Sequence, residues 1–134
     1  MALDTSPTVY TGVTSSGVIT ASAGVVGSVR EPVQTLTASG AITITSGTVN
    51  LSHASVIIAA TLPAPTAGDE LVIFDGSASG TAAHTVTVPS GVTFDGTNNT
   101  ATLNAAGECL HIRALSATRW AIVVNTGAVA LSSV

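Results

Sequence analysis

Three observations in this sequence predict an all-β fold. Of the 134 residues, 21 are Thr and 17 are Val, β-branched side chains that suit a pleated, half-buried surface. Apolar and polar residues alternate over several short runs, and no eleven-residue window carries a helical stripe. Turn signals separate the runs at intervals of about ten residues. Strands of that size and spacing suggest a small antiparallel β-sandwich or irregular barrel, here with an extended N-terminal arm.

Residues 1–33 are rich in Ser, Thr, Gly and Val, with Pro7 and Pro32 near the ends. Val9, Val13, Val18, Ile19, Val25, Val26 and Val29 fit neither the helical nor the strand period. This composition predicts an arm ordered by what it lies on. Arg30-Glu31-Pro32 is a charged break, which sets the boundary to a β-domain over residues 34–134. From Leu36 to Leu51, Ile42 and Ile44 face one way and Thr43 and Thr45 the other, with Ser46-Gly47 as an expected turn before Val49.

Val56 to Leu62 is an apolar run closed by Pro63-Ala64-Pro65, which predicts a buried strand that must stop. Leu71 to Phe74 is the most hydrophobic strand and ends at the turn dipeptide Asp75-Gly76. Ser77 to Ala83 is small and polar and predicts an exposed loop. Thr85 to Val88 alternates and stops at Pro89, and Val92 and Phe94 form a short strand before the turn Asp95 to Asn99. Ala101 to Leu103 is the next strand, followed by a turn over Asn104 to Gly107.

The stretch Gly107 to Asn125 organises the rest. Leu110, Ile112 and Ala114 alternate with Cys109, His111 and Arg113, and after Ser116-Ala117-Thr118 the pattern resumes at Trp120, Ile122 and Val124. Two alternating runs joined by a few small residues predict a β-hairpin. The expected core anchors are Leu71, Ile73, Phe94, Leu110, Ile112, Trp120 and Ile122, with the single Trp foremost. Residues Thr126 to Val134 are small and apolar and could pair with a sheet edge.

Charge is sparse, with no Lys, three Arg and seven acidic residues, and the mean hydropathy is +0.59. Charged edges are how sheets avoid pairing with neighbours, so this surface is poorly defended against association. The composition therefore favours a surface covered by copies of the same chain or by a larger assembly. A net charge of −4 argues against nucleic-acid binding, which neutralises phosphate with basic patches. The span from Pro32 to Gly68 has no formal charge, but Thr, Ser and Gly interrupt it too often for a membrane helix. The N-terminus has no basic start or apolar run of a signal peptide, so synthesis in the cytoplasm is expected.

Chemistry-bearing patterns are weak. His53, His84 and His111 have no metal-ligand spacing, and Cys109 with His111 supplies only two groups on one strand face. The lone Cys109 permits no internal disulfide and reads as an exposed thiol. Gly76-Ser77-Ala78-Ser79-Gly80 has Ala where a nucleophile elbow needs Ser. Asp95 to Asn99 has side-chain oxygens but not the calcium-loop pattern. Asp69 and Glu70 are adjacent and face opposite sides of a strand. The sequons at Asn50 and Asn98 are read as chance. No enzyme activity, metal or cofactor is expected.

Several stretches carry a resemblance. They are Leu62-Pro63-Ala64-Pro65-Thr66-Ala67-Gly68-Asp69-Glu70-Leu71, His84 to Val88, Val92-Thr93-Phe94-Asp95-Gly96-Thr97-Asn98-Asn99-Thr100-Ala101, and Gly107 through Trp120. The most specific parts are Phe94 to Asn99 and Ala117-Thr118-Arg119-Trp120. Across residues 34–134 the chain resembles small tailed-bacteriophage virion proteins, the head decoration (cement) or head-fibre proteins. The resemblance implies a structural protein, not an enzyme, on the outer capsid surface of a virion. It also implies a homotrimer at three-fold or quasi-three-fold positions, with the major capsid protein as partner and neither nucleic acid nor membrane. Residues 1–33 would then be the capsid attachment and residues 34–134 a trimeric knob. Candidate capsid contacts are Val9, Tyr10, Val13, Val18, Ile19, Val25, Val26 and Arg30. The alternative is a fibre or tail-tip module binding host glycans, which exposed aromatics would favour. Phe74, Phe94 and Trp120 sit in strand patterns that read as core instead.

Overall fold

The computed structural model describes residues 30–77 and 82–134. They form eleven strands: β1 (Val33–Leu36), β2 (Gly40–Ala41), β3 (Ser46–Leu51), β4 (Ala59–Thr61), β5 (Glu70–Asp75), β6 (His84–Thr87), β7 (Thr93–Phe94), β8 (Thr100–Leu103), β9 (Cys109–Ser116), β10 (Arg119–Thr126) and β11 (Ala130–Ser132). No helix occurs among the described residues, so the fold is all-β.

Two sheets pack face to face. One has the order β1-β3-β5-β9-β10-β7 and the other β11-β8-β6-β4-β2. The chain changes sheet at every step from β1 to β6 and returns in the same direction, so β1, β3 and β5 pair in parallel, as do β2, β4 and β6. This winding is a short β-solenoid, which corrects the expectation of an antiparallel sandwich or barrel. Alternation predicts which face of a strand is buried, and that pattern is the same whichever way its neighbour runs. From β8 onward the pairing turns antiparallel, except at the far edge of the larger sheet, where β10 pairs β7 in parallel. β9 packs along β5 and forms the expected hairpin with β10, while β8 pairs with β6 and the tail strand β11 with β8.

One hydrophobic cluster fills the space between the sheets. Leu71, Ile73, Phe94, Leu110, Ile112 and Trp120 are fully buried, and Ile122 packs half-buried at the margin. One inward row crosses the larger sheet as Gln34, Val49, Ile73, Leu110 and Asn125. Its apolar middle ends in amides that satisfy backbone groups where the strands give out. Gln34 Nε2 donates to the Ala41 carbonyl and its Oε1 accepts the Thr43 N–H. Asn125 donates to the Val129 carbonyl and accepts the Val129 N–H. An amide offers donors and acceptors together, which a sheet margin needs on both counts.

Local expectations are corrected at several points. Ser46-Gly47 is the start of β3 rather than a turn, because Gly47 at φ 106° lies directly under Pro32. The strand expected over Val56 to Leu62 is only β4. His53 Nδ1 accepts the N–H groups of Ser55 and Val56, and this tight loop leaves Val56 and Ile57 exposed. Ser77 is buried instead of lying in an exposed loop, and residues 78–81 lie outside the described residues. Cys109 is buried rather than exposed, and that burial pushes its thiol pKa up. A register shift between Ile122 and Val124 inserts Val123, which turns Val124 outward instead of continuing the buried face.

The turn at Asp95 to Asn99 is built by its first residue. Asp95, at φ 49°, accepts the N–H of Asn98 at 3.0 Å, the Asn98 side-chain amide at 2.9 Å and the N–H of Thr97 at 3.1 Å. These bonds, the Asn98 N–H foremost, hold its carboxyl below the ordinary aspartate value of 3.8. A folded-state pKa below that of the unfolded chain stabilises the turn above the ordinary value. The contribution is lost as pH falls through the lowered one. An NMR titration of the Asp95 carboxyl carbon is expected to give a midpoint below 3.8. A midpoint at or above that value contradicts this account of the turn.

Candidate interaction surface

The outward side chains of the six-stranded sheet fall in register. One row runs Val33, Thr48, Val72, His111, Val124, and the next Thr35, Asn50, Phe74, Cys109, Thr126. Val33 is 67% exposed, Phe74 38% and Val124 46%, and Val123 at the bulge is also exposed. Phe74 therefore departs from the expectation that it is core. It sits one position past Ile73, and alternation sends it to the other face.

Two shallow concavities open on this face. One, of about 530 Å³, is lined by Val33, Thr48, Asn50, Phe74, Asp75, Gly76, Ser77 and Gly107. The other, of about 480 Å³, lies beside Glu31 and is lined by Ser46, Gly47, Thr48, Glu70 and Val72. In the first, Asn50 presses against Gly76 so closely that a Cβ there would fall 1.8 Å from Asn50 Oδ1.

Charge on the face is concentrated in one cluster. Glu70 Oε1 lies 2.6 Å from His111 Nε2, and Glu70 Oε2 lies 3.8 Å from Arg113 Nε. The three residues stand side by side because Glu70 pairs with Arg113, and Val72, two residues on, pairs with His111. Cys109 and His111 do share this face, as their spacing indicates, but Cys109 pairs with Phe74 and His111 turns to Glu70. Among the described residues no group of three or more His, Cys, Asp or Glu side chains converges as metal ligands would.

The outward face of the smaller sheet differs. Thr85 and Thr87 on β6 stand opposite Thr102 and Thr100 on β8, flanked by Ala59 and Thr61. Its strands carry no formal charge.

A polar group is buried between the sheets. Ser77 Oγ donates to Asp75 Oδ1 at 2.5 Å, and His84 Nε2 lies 3.8 Å from the same oxygen. The N–H of Ile58 donates to His84 Nδ1 at 3.0 Å, so in the neutral ring the proton sits on Nε2. The Ser77 hydroxyl is committed to the carboxylate and not to the imidazole, so the hydroxyl-to-base contact that activates a serine nucleophile is not formed. No sequence pattern marks this trio, since it joins two strands of opposite sheets.

Of the candidate capsid contacts, Arg30 is exposed, and Val9, Tyr10, Val13, Val18, Ile19, Val25 and Val26 lie outside the described residues. The face itself escaped the sequence reading. Its signal was available in the outward members of each alternating run, Val72, Phe74 and Val33, which a search for core residues passes over. Comparison with protein-family models and with curated proteins found no match to this chain.

Proposed function

We propose that this chain is a structural virion protein that decorates and stabilises the outer surface of a phage capsid. The observation that carries the reading is the outward face of the six-stranded sheet. It exposes Val33, Phe74, Val123 and Val124 on a protein with only three basic and seven acidic residues. A surface this apolar and this weakly charged is built to be covered. The sequence resemblance to head decoration proteins supplies the setting, a homotrimer at three-fold or quasi-three-fold positions made in the host cytoplasm.

Cementing needs no bond chemistry. A protein that binds across capsid subunits favours the assembled lattice over its separated parts by mass action. Three arms, each formed by the part of residues 1–33 that precedes Pro32 and β1 and each on a different subunit, add avidity through effective concentration. Purified protein added to undecorated heads of the phage that encodes it is expected to bind at saturable stoichiometry. A chain lacking residues 2–29 should keep its circular-dichroism spectrum and lose that binding. The deletion stops at 29 because the Thr48 N–H donates to the Pro32 carbonyl, which places Pro32 in the fold. No binding by the full chain overturns the cement reading; equal binding by the shortened chain overturns the role of the arm.

Phe74 favours a second reading, the fibre-tip module that recognises host glycans. It is an exposed ring in a concavity beside Asn50 and Thr48, where a sugar face could stack and meet hydrogen-bonding partners. Binding of the purified protein on a glycan array, abolished by Phe74→Ala, would select this reading over cementing.

A further inference from the structure

We infer that the outward face of the six-stranded sheet is where a second copy of this chain docks. The inference adds a pairwise, two-fold contact between copies to the three-fold self-association of the proposed function, and it rests on that reading for the partner.

Four observations point to a sister copy. The central row reads Val33, Thr48, Val72, His111, Val124, apolar and polar by turns and the same in character from either edge. A surface with that symmetry is its own complement when turned end for end. The opposite charges within the face, Glu70 and Arg113, lie within ion-pair distance with His111 beside them, so little net charge remains to repel an identical face.

Size is the third observation. The five strands β1, β3, β5, β9 and β10, of four to eight residues each, give a flat footprint on the order of 500 Å² at about 4.8 Å spacing and about 3.3 Å per residue. Side-chain relief raises the accessible area above that, toward the roughly 800 Å² each partner contributes to a standard interface.

The fourth is the edge of β10. β7 pairs with it only at Arg119 and Trp120, so Ala121–Thr126 has no strand beyond it among the described residues. No residue from Trp120 to Val134 carries a formal charge. The usual protections of a free edge, charge and proline, are both missing where Val123 and Val124 are exposed.

Light scattering on a sizing column across a micromolar concentration series tests this. The full chain is expected to run at a mass of two or more copies. Phe74→Lys and Val124→Lys should each weaken association roughly tenfold or more, since each buries an unpaired ammonium in the contact. Thr102→Lys, on the outward face of the other sheet, should leave the mass unchanged. Unchanged circular dichroism shows that each variant is folded, and two independent sites guard against one failing to fold.

A monomeric full chain overturns the inference. So does an oligomer indifferent to both face substitutions, or one dissociated equally by Thr102→Lys. A monomer that still decorates heads removes this inference and leaves the cement reading standing. An oligomer that Val124→Lys dissociates, yet that never binds heads, does the reverse.

Discussion

Substituting Trp120 with alanine is expected to unfold the β-domain. The side chain is fully buried, opposite Ala114 on β9 and Phe94 on β7, where it joins the hairpin to the far edge of the larger sheet. Cutting a buried Trp to Ala costs about 3–5 kcal/mol. A domain of this size is held by only about 5–15 kcal/mol in all, so a large share of the margin goes with one residue. Its neighbours can close the gap only in part. Phe94 sits on a two-residue strand, and the cross-strand partner Ala114 offers only a methyl group. Urea unfolding followed by circular dichroism checks it. A midpoint within experimental error of the parent chain would mean the indole is not the keystone of the core. Trp120→Phe should cost much less, because it keeps most of the volume and removes the indole Nε1, which is buried without a hydrogen-bond partner.

Gly47→Ala is expected to be nearly as severe, for a backbone reason. At φ 106° an L side chain is strained whatever surrounds it, a cost of about 1–3 kcal/mol. Here the space is filled as well, since a Cβ would lie 2.2 Å from the Pro32 carbonyl oxygen. That oxygen accepts the Thr48 N–H at 2.9 Å and begins the ladder between β1 and β3. The methyl cannot be accommodated unless Pro32 moves, and Pro32 cannot move without releasing β1. Loss of β1 uncovers Val49 and Leu51, both fully buried at present. Hydrogen exchange should show β1 and β3 amides losing protection first, and the unfolding midpoint falling. Exchange identical to the parent chain would show that the close approach of Pro32 to Gly47 does not hold β1 in place.

The same two residues illustrate how much could be read in advance. Trp120 was legible because burial follows from hydrophobicity and alternation, which are local properties. Gly47 was misread as a turn residue. A glycine that permits a turn and one that makes room for a neighbouring strand look alike in sequence, and the neighbour here is Pro32, far enough back that nothing local marks it. Phe74 and Val124 show two other ways to miss a surface. Phe74 follows the alternation strictly and lands outside, whereas Val124 lands outside because Val123 is inserted ahead of it. In the trio Ser77, Asp75 and His84, the first two bond locally, but His84 had no signal, since it meets them only when two sheets close.

Local pattern is enough to give the class of element and the side that each strand buries. β-Branched content and alternation are properties of single strands, and they place Leu71, Ile73, Leu110, Ile112 and Trp120 inside whatever the partners are. The sparse charge, three basic and seven acidic residues, is likewise legible without the fold. That β1 to β6 wind in parallel between two sheets, and that Val33, Val72, Phe74 and Val124 assemble into one outward face, follows from long-range pairing alone. The reason is physical. Strand direction and partner choice are set by the paths of the connections and by backbone hydrogen bonds between distant segments, and neither leaves a mark on the order of apolar and polar residues within a strand.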